Sequence, residues 1–141
     1  MTDDWVERMR SLLEAPSPAV IATYRKDGSA HVSPVWFRWH DSAFEVVIAE
    51  GDVKLRHLRS NPECILVVFE TVLPFRGVEV RGTVELVEGD VTPIRREIAG
   101  RYLGGADAGR RYAAERNKPG VLVRLPAREP RVWDLTPILP S

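Results

Sequence analysis

The chain has a single cysteine, Cys64, among 141 residues, so no internal disulfide forms and a reducing compartment suits it. Cys64 stands in an apolar run and reads as an ordinary buried residue. No apolar run reaches the length of a membrane span, and the acidic start Met1-Thr2-Asp3-Asp4 is unlike a signal peptide. A cytoplasmic protein with no membrane partner is expected. Charge of one sign is also missing: twenty basic and twenty acidic residues cancel. That removes the basic excess on which non-specific nucleic-acid binding leans, so no nucleic-acid partner is expected. Lysine is scarce, with Lys26, Lys54 and Lys118 set against seventeen arginines, a bias that a G- and C-rich genome explains. No internal repeat or linker divides the chain, so residues 1–141 read as one domain.

What is present suits a globular fold, since 44% of residues are hydrophobic and 28% charged, enough to bury a core. Trp5, Met9, Leu12 and Leu13 recur at helical spacing, which predicts a capping helix within residues 1–15, halted at Pro16. Residues 19–24 predict a strand, followed by an Asp27-Gly28 turn and a second strand over residues 30–39. That second strand places His31, Ser33, Val35, Phe37 and Trp39 on one face and Val32, Pro34, Trp36 and Arg38 on the other. Neither face is purely polar, so one side should meet the core and the other a ligand or a partner subunit. Pro34 cannot donate to a ladder and predicts an edge or a bulge. Further strands are expected over residues 44–49, 65–69, 77–87, 121–125 and 132–135. Thr92 is a plausible N-cap for a helix ending at Leu103, and residues 106–116 predict a second, polar helical piece. Residues 136–141 form a proline-loosened tail. The pattern is mainly β with short helices: a small antiparallel barrel of about six or seven strands.

Chemistry concentrates between residues 51 and 62. Gly51 gives a tight turn, Asp52 is a good N-cap and Asn61-Pro62 a stop, so a two-turn helix is predicted between them. Lys54 then lies in the first turn, where the helix dipole and unpaired N–H groups already favour negative charge. A cation there points to an anion that joins it, such as the phosphate of a cofactor; a solvated lysine is the plainer alternative. Arg56 and Arg59 are about sixty degrees apart on an ideal helix, so both could reach one anion or both face solvent. Trp36 and Trp39 fall on opposite strand faces, which assigns Trp36 to a ligand and Trp39 to the core.

Other chemistries find little support. His31, His40 and His57 match no zinc spacing, so no metal is expected. Ser33 lacks the glycine elbow of a serine hydrolase. Tyr24, Tyr102 and Tyr112 could each donate a proton, but nothing separates them from structural tyrosines, and the catalytic residues stay unassigned.

Residues 19–24, Asp27-Gly28, the run from His31 to Phe37, the run from Lys54 to Pro62 and the alternating run from Val78 to Val87 together resemble the pyridoxamine 5′-phosphate oxidase-like superfamily of split β-barrel flavin- and deazaflavin-binding proteins. Within it the chain is most similar to the actinobacterial oxidoreductases that use coenzyme F420. The resemblance implies a split-barrel homodimer with a cofactor in each interface groove. It places Ser33, Pro34, Val35 and Trp36 against the flavin or deazaflavin ring. It makes Lys54 the phosphate ligand, with Arg56 or Arg59 nearby and Ala49 and Val53 flanking. Coenzyme F420 is the expected cofactor, with FMN the alternative, and hydride transfer to a small unsaturated or aromatic acceptor the expected reaction. A flavin- or F420-binding protein without catalysis is the other reading. Pyridoxamine phosphate oxidases carry a carboxy-terminal arginine-rich motif around a tryptophan; here the comparable region is Arg128 to Leu135, and vitamin B6 oxidation is not expected. Trp133 is the tail residue best able to stack at a neighbouring site.

Overall fold

The computed structural model describes residues 4–140. Alternating apolar residues build two antiparallel sheets. The first holds five strands in the order β2 (Ala30–Val35), β1 (Ala19–Tyr24), β5 (Glu63–Phe69), β6 (Gly77–Thr83) and β9 (Arg131–Trp133). The second holds four, in the order β3 (Arg38–His40), β4 (Ala43–Ala49), β8 (Gly120–Pro126) and β7 (Glu85–Val87). Inward residues of both sheets share one core: Ile21, Leu66, Val78 and Val80 from the first, Phe44, Ile48, Val121 and Val123 from the second. This is the antiparallel barrel that the strand pattern implied, split in the way the resemblance implied.

Among the described residues nine short strands replace the expected six or seven, because the runs 30–39 and 77–87 each break in two. Both breaks mark the point where the chain leaves one sheet for the other. At the first, Phe37 N–H donates to Tyr102 Oη at 3.2 Å and the Phe37 carbonyl accepts from the Arg101 guanidinium. Side chains of a distant helix thus satisfy the backbone that a ladder would have used. At the second, Val84 N–H donates to the Pro62 carbonyl at 2.9 Å. Pro34 lies on an edge strand, as its missing N–H demands.

The amino-terminal helix is two pieces, α1 (Asp4–Arg8) and α2 (Arg10–Glu14), interrupted at Met9; the first residues of the expected span lie outside the described ones. The helix after β4, α3 (Val53–Ser60), is capped as expected. Asp52 Oδ1 accepts from Lys54 N–H at 2.9 Å, and Gly51 supplies the turn at φ +90°. Thr92 is not the N-cap of α4 (Thr92–Leu103) but its first residue, its N–H held by Asp90 Oδ1 at 3.0 Å. Next, α5 (Ala106–Glu115) folds back along α4 so closely that a Cβ on Gly109 would overlap the Arg96 carbonyl.

The helical pair is fastened to the outer face of the second sheet by charge. One row of that sheet pairs Arg38 with Glu45, Glu45 with Arg124 and Arg124 with Glu85. Its side chains follow the same order: Arg38 Nε lies 2.6 Å from Glu45 Oε1, Arg124 bonds the other Glu45 oxygen, and Arg124 Nε stands 3.4 Å from Glu85. Glu45 is 1% exposed, so two guanidinium groups hold a fully buried carboxylate. Glu97 of α4 closes on Arg38 from above. At the far end of α4, Arg101 donates to the carbonyls of Leu13 and Ala15 at 3.1 and 3.0 Å, and Tyr102 Oη donates to the Ser17 carbonyl at 3.0 Å.

Candidate functional site

On the outer face of β4, residues 45, 47 and 49 alternate with the core residues 44, 46 and 48. The charge row fills the Glu45 end. Beyond it, from Val47 to Ala49, the face is open, and α4, α5 and the start of α3 enclose a cavity of about 580 Å3. Ile98 and Ala99 of α4 form an apolar wall. The aromatic wall is Trp36, stacked on Tyr102 with centroids 4.9 Å apart and planes 7° from parallel, with Tyr112 tilted against it at 5.5 Å. Trp36 reaches this position because the strand breaks there, and Tyr102 because its hydroxyl is tied at both sides. Trp39, on the opposite face, packs edge-on against Trp5 and Phe44.

The other end of the cavity is cationic. Lys54 from α3, Arg95 from α4, and Arg116 and Lys118 from the segment before β8 line it, together with the carboxylates of Asp52 and Glu115. Arg95 is 9% exposed and donates to the Lys118 carbonyl at 2.8 Å, which fixes the chain just before β8. Lys54 is not free: its Nζ lies 3.0 Å from Asp52 Oδ2. Burial works to raise the Asp52 carboxyl, but the bonds from Lys54 N–H and Nζ, with His31 nearby, hold it below the usual carboxylate range. The anion that the sequence demanded beside Lys54 is therefore supplied in part by the cap itself.

The sequence-predicted residues separate into six placements. Val35, Trp36, Ala49 and Lys54 meet around the one cavity. Ser33 does not line it; two residues before Val35 on β2, its Oγ is buried with no hydrogen-bond partner among the described residues, as is His31 Nδ1 on the same face. Pro34 faces outward on the exposed side of the edge strand. Val53 and Arg56 turn to a second groove across α3. Arg59 points away from Lys54, with Glu50 gripping its guanidinium at 2.7 and 2.9 Å and Glu88 at 3.5 Å. Trp133 lies on the other sheet, flat over Gly77, where a Cβ would collide with its ring, and Arg131 stacks on it at 4.7 Å. Sequence reasoning missed Arg95, Arg116 and Lys118, which are remote in sequence from Lys54. No local sequence signal marks them: Arg116 and Lys118 reach this end of β4 only through the pairing of residue 120 with residue 49.

His57 is buried at 8% exposure and its Nδ1 lies 2.9 Å from Thr23 Oγ1, beside the His31 ring at 5.6 Å. Burial first, then His31, Arg25 and Arg56, push its imidazole below the ordinary value, against a smaller pull from Asp52. Among the described residues no cluster of three or more His, Cys, Asp and Glu has metal-binding geometry, and no helix is long and apolar enough to cross a membrane.

A family model described as pyridoxamine 5′-phosphate oxidase matches residues 6–134. No curated protein sequence matches the chain. Among solved structures, a conserved hypothetical protein of Mycobacterium tuberculosis, Rv2991, superposes with a TM-score of 0.79 at 22% identity, covering 100% of this chain and 91% of its own. An F420 reductase superposes at 0.71 with 24% identity, covering 93% and 98%. A FAD-binding protein of Mesorhizobium loti superposes at 0.64 with 20% identity, covering 94% and 93%. At these identities the likeness is one of fold.

Proposed function

From the premise that the chain belongs to the pyridoxamine 5′-phosphate oxidase family, we propose that it binds a phosphate-bearing flavin or deazaflavin in the cavity beside β4 and uses it as an oxidoreductase. One observation carries the reading: a single cavity of about 580 Å3 joins a cationic end at Lys54 to an aromatic wall at Trp36. That volume falls in the range of cofactor pockets, roughly 300–1,000 Å3. The residues fit the group: Lys54, at a helix N-terminus, suits a phosphate, and Ser33 Oγ, two residues before the cavity-lining Val35 on β2, is a buried, unpartnered polar atom that a cofactor heteroatom would satisfy.

When bound, the cofactor supplies hydride transfer to or from an unsaturated acceptor. The chain's own residues supply the rest. Lys54 holds the phosphate end, Trp36 and Ile98 bound the ring plane and keep water out, and the Asp52 carboxylate keeps Lys54 aimed while weakening its field. Coenzyme F420 is favoured over FMN because Arg95, Arg116 and Lys118 add cations at the phosphate end beyond what one phosphate needs, and F420 carries further carboxylates there. FMN remains the alternative. A homodimer fits the same reading, since β2 is an unpaired sheet edge with Val32 61% exposed beside the proposed ring position.

Equilibrium titration of purified protein with F420 and with FMN, followed by fluorescence, tests this. Tighter binding of F420 is expected. Preference for FMN overturns the choice of cofactor, and binding of neither overturns the oxidoreductase reading.

A further inference from the structure

On the far side of α3 from the cavity lies a second concavity of about 620 Å3, formed where the β1–β2 turn faces the helix. Arg25 and Lys26 come from the turn, and Arg56, His57, Ser60 and Asn61 come from α3 and its C-cap. No carboxylate lines this groove, although the chain as a whole carries as many acidic as basic residues. The nearest acid on the turn, Asp27, is spent on Ser29, accepting from its N–H at 2.9 Å and its hydroxyl at 2.6 Å. Arg56 and Lys26 have no ion-pair partner among the described residues, whereas Arg59, one turn along α3, is gripped by Glu50. Arg25 is held in place by one nitrogen, which donates to the Ala30 carbonyl at 2.9 Å and stands 3.3 Å from Ser29 Oγ. Its other guanidinium nitrogens have no hydrogen-bond partner among the described residues.

We propose that this groove is a binding site for a diphosphate group, separate from the cofactor cavity. Two arginine forks and a lysine around one space match a compact ligand with more than one negative charge, and arginine pairs bidentately with phosphate oxygens. The hydroxyl of Ser60 and the amide of Asn61 add neutral donors. Tyr24, which also lines the groove, offers a ring face at its edge, so the diphosphate belongs either to free pyrophosphate or to a nucleotide. The positive field is already registered inside the fold: Arg25 and Arg56 both push the buried His57 towards its neutral form. An anion seated above His57 reverses that push.

Isothermal titration with sodium pyrophosphate and with ADP, on the whole chain without added flavin, is the test. Saturable binding is expected that weakens at least about tenfold in Arg56→Ala and in Lys26→Ala, and falls with added salt. Lys54→Ala should leave the Arg56-dependent component within about twofold, any Arg56-independent component belonging to the cofactor cavity. Tighter ADP binding assigns the group to a nucleotide, and equal binding assigns it to free pyrophosphate. A proton NMR titration supplies a second readout: the His57 imidazole should titrate at higher pH with pyrophosphate bound. No binding up to millimolar ligand overturns the proposal. So does equal affinity for a simple dicarboxylate, or loss of binding in Lys54→Ala with Arg56→Ala unaffected. Because the titration uses no flavin, its failure leaves the cofactor reading standing, and failure of flavin binding leaves this site standing.

Discussion

Asp52 bonds Lys54 twice, through Oδ1 to the backbone N–H at 2.9 Å and through Oδ2 to the Nζ ammonium at 3.0 Å. One carboxylate thus starts the helix and occupies the lysine that a phosphate would need. Asn is as good an N-cap as Asp, so Asp52→Asn keeps the cap and removes the competing charge. The variant should bind a phosphate-bearing cofactor about 3- to 10-fold more tightly, whereas Lys54→Ala should bind it at least about 10-fold more weakly. Fluorescence titration of both variants checks the pair.

Trp36 is expected to contribute through its ring rather than its charge. Trp36→Ala removes the stack on Tyr102 and opens the aromatic wall, so affinity should fall by about 5- to 10-fold, the order of one aromatic contact. Trp39→Ala, on the other face, should instead lower stability by about 3 kcal/mol or more, through the cavity left against Trp5 and Phe44. Cofactor titration and urea denaturation separate the two effects.

The charge row across the second sheet should be strongly unequal in its parts. Glu45→Ala strands two guanidinium groups over a buried site and should cost about 3–5 kcal/mol. Glu97→Ala removes an exposed partner and should cost less than about 1 kcal/mol. Denaturant midpoints at constant slope report both.

Acid should destabilise the fold through His57. Its folded-state value is depressed, so its contribution is present above the unfolded value, about 6.5, and is lost as pH falls through the lower folded value. Stability measured by denaturation should therefore decline from about pH 6.5 downward, and His57→Gln should flatten that part of the curve.

Much of the fold was legible because its signals are local. The alternation of residues 19–24, the Asp52 cap and the end of the helix at Leu103 each depend on neighbours in sequence, and each stands where it was expected. The breaks at Phe37 and Val84 were not legible, because their causes, Tyr102 with Arg101 and the Pro62 carbonyl, are far along the chain. The candidate site divides in the same way. Trp36 and Lys54 declared themselves by strand face and helix position. Arg95, Arg116 and Lys118 look like any surface cations until β8 pairs with β4. Arg59 misled for a related reason: its helical phase permits a place beside Lys54, but Glu50, nine residues earlier, claims it first.

The Leu13 and Ala15 carbonyls find their partner in Arg101, which lies 88 and 86 residues later. β8 is likewise an interior strand of the second sheet, inserted between β4 and β7 that precede it. On a ribosome, then, α2 stays unfinished until about seven-tenths of residues 1–141 are made, and β4 waits longer still for its central neighbour. The order of synthesis runs against the order of assembly, and such distant pairings are slow to close. A nascent chain stalled before residue 120 should accordingly expose the β4 edge, and protease trimming of stalled chains of increasing length would reveal protection appearing abruptly once β8 is released.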